Sequence, residues 1–182
     1  MTLSALVLAA LLGFRHGPLA AADEARYVAL SATIADVALD SPAWPVTSEE
    51  ADGSPDVAAT ALLLASIAQH ESGILESVGT CRLLGPSRAA SYFQLESLAG
   101  YAREDVCSSP DLAARIAAGI LVRHRRRCSR CPALALVAAY ASGDPGKGSK
   151  AAREIVSLWV AASRSAGLTV RPYAAERVAV WQ

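Results

Sequence analysis

The sequence has few aromatic residues and little of the alternating Val, Ile and Thr pattern that is typical of half-buried strands. Aromatic residues make up 5% of the 182 residues, whereas hydrophobic residues together make up 53%, and alanine is abundant. Both features argue against an all-β architecture, in which short alternating segments recur between turns. The composition therefore predicts an all-α fold of packed helices, and the length suits one domain, or one domain with an N-terminal extension.

The chain also lacks an excess of one charge and a long apolar run. Lysine plus arginine and aspartate plus glutamate number 17 each, so the global charge predicts neither a nucleic-acid binder nor an acidic tail. The apolar run over residues 3–12 is shorter than the roughly 20 residues that span a bilayer. A signal peptide has lysine or arginine before its apolar run, and none precedes this one. Residues 20–22 could nevertheless pass for a signal-peptidase cleavage site. We expect no membrane span and a retained first core helix.

The histidines lack metal-ligand spacing, and the sequence lacks a complete phosphate loop. The 3 histidines do not have the spacing of metal ligands. The segment 144–149 superficially resembles a phosphate loop, but no strand precedes it and the Gly-x-x-x-x-Gly-Lys-Ser/Thr spacing is absent. The sequence therefore predicts no cofactor.

Four cysteines leave three possibilities open: Cys81, Cys107, Cys128 and Cys131. An even number suits one or two disulfides, for which four cysteines allow three pairings. Cys81 follows the predicted helix that ends at residue 73. A bridge from Cys81 to Cys107, or to the region of Cys128, would brace the wall of a cleft at the end of that helix. Cys128 and Cys131 also have the spacing of zinc ligands, although a second close pair is missing. Free buried thiols are the third possibility, and we favour disulfides.

Helix start and stop signals divide the chain. A Ser-Pro-Asp start occurs twice, and glycines close three of the predicted helices. After the first helix, the sequence predicts a second N-terminal helix and then helices over 54–73, 109–127, 132–143 and 149–167. The second N-terminal helix has an apolar face formed by Tyr27, Leu30, Ile34 and Val37. The helix 149–167 has an apolar face formed by Ala152, Ile155, Trp159 and Ala162. The predicted units are an N-terminal helical extension packed on the core (1–40), a surface loop (41–55), the main domain (56–167) and a tail (168–182).

Glu71 is the most informative single residue, because it falls in the last turn of a helix rich in alanine and leucine. Helical spacing places it on the same face as Leu64, Ile67 and Ala68. Poor solvation and the negative end of the helix dipole both favour the neutral, protonated acid there. A protonated glutamic acid is the group that acid-catalysed glycoside cleavage requires. His70 points about 100° away around the helix, so we expect it to make a supporting or surface contact.

Two further motifs follow Glu71 and Ser72 along the chain. They are Ser91-Tyr92-Phe93-Gln94 and, later, Ala138-Ala139-Tyr140-Ala141-Ser142-Gly143. Their order and spacing resemble the soluble lytic transglycosylases and goose-type lysozymes, especially short phage-associated forms, over roughly residues 56–166. In that family a Glu-Ser at a helix end precedes a Gly-x-x-Gln motif and an Ala-Tyr-Asn-x-Gly motif. The resemblance implies a lysozyme-like helical domain.

The resemblance also implies roles for particular residues. Glu71 would be the catalytic acid and base, Gln94 would line the cleft, and Tyr140 would hold the sugar or the glutamate. Ser72 and Ser91 are the further predicted substrate-binding residues. The chain departs from the family pattern at three positions: Ser91 replaces the usual glycine, Phe93 a common methionine, and Ala141 an expected asparagine.

The function implied is cleavage of the MurNAc to GlcNAc β-1,4 bond of peptidoglycan by a lytic transglycosylase with a single acid. Glu76 and Glu96 are near in sequence, but neither has the signature of a second catalytic carboxylate. Two alternatives remain: a hydrolytic lysozyme or chitinase-like enzyme on the same fold, or a non-enzymatic virion or interaction protein that retains the fold. The predicted place of action is the cell wall, outside the cytoplasm, with carriage in a phage particle and contact with other particle proteins as a further expectation.

A basic run ends the predicted helix 109–127. It contains Arg123, Arg125, Arg126 and Arg127, with His124 between the first two. Cations at a helix C-terminus interact favourably with the dipole, which is a sufficient structural reason for some of them. The alternative is contact with a polyanion such as teichoic acid, lipopolysaccharide phosphates or nucleic acid.

Overall fold

The computed structural model describes residues 1–15, 18–41, 57–83, 89–128, 131–143, 149–168 and 170. Within these residues the fold is all-α, with eight helices and no strand, as the composition predicts. The helices are α1 (Leu3–Gly13), α2 (Ala21–Asp40), α3 (Val57–Ser72), α4 (Glu76–Gly79), α5 (Arg103–Ser108), α6 (Pro110–Arg127), α7 (Ala133–Ser142) and α8 (Lys150–Ser165).

The two N-terminal helices pack against the rest of the protein. Val7 and Leu11 of α1 are fully buried, and α1 contacts both α2 and α3. The predicted apolar face of α2 is confirmed, since Tyr27, Leu30, Ile34 and Val37 are all buried. Both helices contribute to the same core cluster as α3, α6, α7 and α8. In the described part of the chain, no helix has the length and apolar character needed to cross a membrane.

Helix α3 is the central helix of the fold. Every residue from Ala59 to Ala68 is fully buried, because α1, α2, α6 and α8 surround it. A helix that is apolar on all sides is a core helix, so the predicted face of Leu64, Ile67 and Ala68 is buried but not distinctive. The predicted start signal at residues 54–56 lies outside the described residues. Glu71 lies where this central helix reaches the surface.

The last three helices follow the sequence signals closely. Ser109 caps α6 by accepting a hydrogen bond from the backbone of Leu112 (3.1 Å), and Ser149 caps α8 in the same way. Gly143 ends α7 with a left-handed φ of 70°, a conformation that favours glycine. The predicted inner face of α8 is confirmed, with Ala152, Ile155, Trp159 and Ala162 buried. Trp159 also donates a hydrogen bond to the carbonyl of Ala59, which joins α8 to α3 (2.9 Å).

The four cysteines form two disulfides, Cys81 to Cys107 and Cys128 to Cys131. This confirms the prediction of disulfides. The zinc and free-thiol alternatives are wrong, because all four sulfurs are in disulfide bonds. The first bridge joins the turn after α4 to α5, and the second closes the turn after α6.

The predicted division into units stays a prediction. The loop 41–55 and the tail 168–182 lie almost entirely outside the described residues, which include only residue 41 of the first and residues 168 and 170 of the second.

Candidate active-site groove

An open groove of about 540 Å³ brings the three motifs together. It is lined by the end of α3, by residues 89 and 94–97 in and around the turn at 91–94, by the C-terminal part of α6 and by the end of α7. Glu71, Gln94 and Tyr140 are among its lining residues. These residues are up to 69 positions apart in sequence, so only the tertiary fold makes them neighbours. The volume lies within the range of ligand-binding clefts.

Glu71 is held at the groove by the way α3 ends. The helix stops at Ser72, and Gly73 follows with a φ of 56°, its N–H donating to the carbonyl of Gln69 (2.9 Å). Arg26 of α2 donates to the carbonyl of Ile74 (2.9 Å), which ties the end of α3 to a second helix. The Glu71 side chain is 21% exposed, so it is partly shielded but still accessible from the groove.

The second motif forms a tight turn between Ala90 and Leu95. These two residues exchange both backbone hydrogen bonds, at 3.0 and 2.9 Å. Inside the turn, Ser91 has a φ of 67° and Gln94 a φ of 46°. A left-handed φ costs a non-glycine residue about 1–2 kcal/mol, which gives a conformational reason for glycine at the position of Ser91 in the family pattern. Gln94 donates a side-chain hydrogen bond to the carbonyl of Ser91 (3.0 Å), which fixes its amide at the edge of the groove.

The first disulfide supports this turn. The N–H of Ser91 donates to the sulfur of Cys81 (3.3 Å), so the bridge to Cys107 contacts the turn that carries Gln94. Tyr92 packs its ring over Gly79, where an added Cβ would lie 2.1 Å from a ring carbon. The turn therefore packs against α4 through Tyr92 and is hydrogen-bonded to the disulfide through Ser91.

Tyr140 joins the third motif to the second. Its hydroxyl donates to the carbonyl of Phe93 at 2.7 Å, which connects α7 to the turn. Burial, and then the nearby carboxylate of Glu71, raises the pKa of Tyr140 well above its ordinary value, so the phenol stays neutral. Tyr140 therefore lies close to Glu71 and at the same time holds the turn in place. Ala141, the next residue, is exposed and lines the groove.

Ser72 and Ser91 are buried and are not among the lining residues of the groove. The Ser72 hydroxyl donates to the carbonyl of Ala68 (2.7 Å) and accepts from the N–H of Ile74 (3.0 Å). The Ser91 hydroxyl accepts from the N–H of Phe93 (3.3 Å). Their predicted contact with substrate stays a prediction, and the bonds described here support a positioning role.

His70 lies between two carboxylates. Its Nε2 is 3.0 Å from a carboxylate oxygen of Glu154 on α8, and its Nδ1 is 3.4 Å from one of Glu71 without the alignment of a hydrogen bond. The Glu71 carboxylate raises the pKa of His70 above its ordinary value, burial opposes this shift, and Glu154 adds to it. Lys150 in turn lies 3.6 Å from Glu154. The supporting contact expected of His70 is therefore directed at the candidate acid.

His70 should make stability depend on pH with a definite sign. A histidine whose pKa is raised by folding stabilises the fold below its ordinary value of 6.5, and this contribution is lost as pH rises through the raised pKa. The free energy of unfolding of wild type minus that of His70→Gln should therefore be larger at about pH 5.5 than at about pH 8.5. Chemical denaturation at the two pH values measures it.

His124→Gln is the matched control for this prediction. Burial, together with Arg127 and Arg123, lowers the pKa of His124, so the wild-type protein should lose stability relative to this variant as pH falls. Opposite slopes for the two variants are the expected result. Parallel curves for wild type and His70→Gln would show that His70 has no such interaction.

Three ionisable residues of the groove were not assigned to the site from the sequence. They are Glu96, Arg123 and His124, which all line the groove. In the sequence, Glu96 lacks the signature of a second catalytic carboxylate, and Arg123 and His124 belong to the basic run. Glu154 was missed as the partner of His70, since the two are 84 residues apart and no local pattern connects them. Glu76, the other nearby carboxylate, is outside the groove and pairs with Arg82 at 3.7 Å.

Comparison of the chain with models of protein families, with curated proteins and with solved structures finds no match. The resemblance to lysozyme-like enzymes, which the three sequence motifs carry, therefore stays a prediction.

Proposed function

We propose that the groove binds a glycan strand of peptidoglycan and that the protein is a lytic transglycosylase cleaving the MurNAc to GlcNAc β-1,4 bond. One observation carries the proposal: Glu71, Gln94 and Tyr140, which come from three separate motifs, line the same open groove. A Glu71 carboxylate packed shut beneath other side chains would have ruled out this chemistry. Its side chain is instead partly exposed at the groove.

In the first step Glu71 donates its proton to the glycosidic oxygen, and the bond from that oxygen to C1 of the muramic acid breaks. The substrate's own N-acetyl group stabilises the positive charge that develops at C1. Gln94 and Tyr140 supply orientation, because a fixed amide and a fixed phenol hold the saccharide and the turn in one geometry.

In the second step Glu71 acts as the base. Its carboxylate takes the proton of the sugar's 6-hydroxyl while that oxygen bonds to C1, which closes a 1,6-anhydro ring and restores the acid. No water is consumed. The Nδ1 of His70 lies 3.4 Å from the Glu71 carboxylate, so a proton on His70 would stabilise the carboxylate that exists between the two steps.

A second candidate function is hydrolysis by a lysozyme-like mechanism. Glu96 favours it, because this exposed carboxylate lines the same groove as Glu71. Ordinary glycosidases use two carboxylates, one as acid and the other as base or nucleophile. The products separate the two functions, since hydrolysis leaves a reducing end and transglycosylation leaves an anhydro ring.

The proposed place of action is the cell wall, outside the cytoplasm. Disulfides persist in oxidising compartments, and the two bridges are consistent with such a location. Carriage in a phage particle, in contact with other particle proteins, remains part of the proposal.

Filling the groove tests whether it is the active site. Ala141→Trp places a large side chain in the groove and should lower the release of soluble fragments from purified peptidoglycan about tenfold or more. Ala161→Trp is the matched control, because Ala161 is an exposed helical alanine on α8 outside the groove. Equal activity of both variants would place the site elsewhere. No release by the folded wild-type protein would instead favour a non-enzymatic virion or interaction protein.

A further inference from the structure

The basic run at the end of α6 is divided by the fold. Arg123 and His124 line the groove, whereas Arg126 and Arg127 are exposed outside it. Arg125 is half-buried and makes an interaction of its own. The run is therefore not one uniform patch, and a single arginine of the run faces the site of Glu71.

Arg123 is the only cationic side chain among the described residues that line the groove, apart from the titratable His124. It is exposed, and within the described part of the chain no hydrogen bond or ion pair holds its guanidinium. Burial and the neighbouring arginines Arg127 and Arg123 lower the pKa of His124. This side of the groove therefore presents one fixed positive charge beside a neutral imidazole that can donate or accept a hydrogen bond.

The other charges of the groove have the opposite sign. Glu71 and Glu96 are its two carboxylates among the described lining residues. A ligand that places an uncharged sugar at Glu71 and an oxyanion at Arg123 matches this distribution. An arginine suits a carboxylate in particular, because its planar guanidinium can donate two parallel hydrogen bonds to the two oxygens.

We propose that Arg123, assisted by His124, is a subsite for a carboxylate carried by the glycan strand. The proposal depends on the function proposed above and narrows it, since it makes the groove select strands with an acidic substituent over neutral ones. Two sources share this chemistry: the free lactyl carboxylate of a muramic acid without peptide, and a carboxylate of the attached peptide.

Binding measurements with Glu71→Gln, which leaves the ligand uncleaved, test the proposal. In that background Arg123→Gln should weaken binding about tenfold, which corresponds to about 1.4 kcal/mol. The ligands are intact peptidoglycan fragments, glycan strands stripped of peptide by an amidase, and a neutral hexamer of N-acetylglucosamine. Loss on the stripped strands identifies the lactyl carboxylate as the source, and loss on the intact fragments alone identifies the peptide.

Arg126→Gln is the matched control, because Arg126 is on the same helix and outside the groove. It should bind all three ligands as well as its parent, and Arg123→Gln should bind the neutral hexamer as well as its parent. The loss caused by Arg123→Gln should shrink at high salt, since the charge it removes is exposed.

Unchanged binding of both acidic ligands by Arg123→Gln, or an equal loss on the neutral hexamer, would overturn the proposal. Failure of the proposed function looks different. In that case the wild-type protein releases nothing from peptidoglycan, whereas the dependence of binding on Arg123 can still be present. A wild-type protein that binds none of the three ligands would overturn both.

Discussion

Glu71→Gln should lower the rate of peptidoglycan cleavage about 10³-fold, because the amide cannot donate the proton that makes the leaving oxygen a leaving group. The substitution preserves size and shape, so the groove and its lining should be unchanged. Among the described residues, no hydrogen bond links the Glu71 carboxylate to the rest of the fold. Its polar neighbour is the Nδ1 of His70, which lies 3.4 Å from a carboxylate oxygen. The loss should therefore appear in kcat with little change in affinity. Release of soluble fragments from purified peptidoglycan measures it.

Glu76→Gln is the matched control for this loss. Glu76 is also a glutamate close to the end of α3, but it lies outside the groove and its side chain is 59% exposed. It should retain wild-type activity. Glu71→Gln should keep the helical circular dichroism and the melting temperature of wild type within a few degrees. A variant that folds normally and keeps more than about a tenth of the wild-type rate would contradict a role as the sole acid.

Trp159→Ala should have the largest effect on stability, about 3–5 kcal/mol. Trp159 is fully buried on α8 and packs against the central helix α3. The substitution leaves a cavity in the core and removes the hydrogen bond from the indole to the carbonyl of Ala59. Because native domains are stable by only about 5–15 kcal/mol, such a loss is a large share of the total. The midpoint of chemical denaturation measures it.

Two further variants separate the causes of this loss. Trp159→Phe keeps much of the volume but removes the indole N–H, so it should cost less than the alanine variant. Ser157→Ala, at an exposed position of the same helix, should change stability by no more than about 0.5 kcal/mol. If Trp159→Ala lies within about 1 kcal/mol of wild type, α8 does not contribute to the core as described.

The parts of the fold that follow local rules could be predicted from the sequence. The inner faces of α2 and α8 have the 3.6-residue period, and Ser109 and Ser149 are capping residues at the starts of α6 and α8. The shared groove of Glu71, Gln94 and Tyr140 was anticipated from the order of three motifs. Periodicity and capping depend on neighbours in sequence, which is why they could be read without a structure.

Features that depend on tertiary packing could not be predicted. Nothing near His70 in sequence indicates Glu154, because α3 and α8 meet only in the folded protein. The cysteine pairing stayed open for the same reason. Likewise, Arg123 and Arg126 belong to the same basic run, and only the packing of α6 decides that the first lines the groove and the second does not.

The first measurement to make is mass spectrometry of the muropeptides that wild type and Glu71→Gln release from purified peptidoglycan. If Glu71 is the acid of a lytic transglycosylase, the wild-type protein releases 1,6-anhydro-muramic acid ends and the variant releases none. Hydrated reducing ends from wild type would replace the transglycosylase by the hydrolytic alternative, with Glu96 as its second carboxylate. Release of the same products at the same rate by Glu71→Gln would contradict the assignment of Glu71 as the acid.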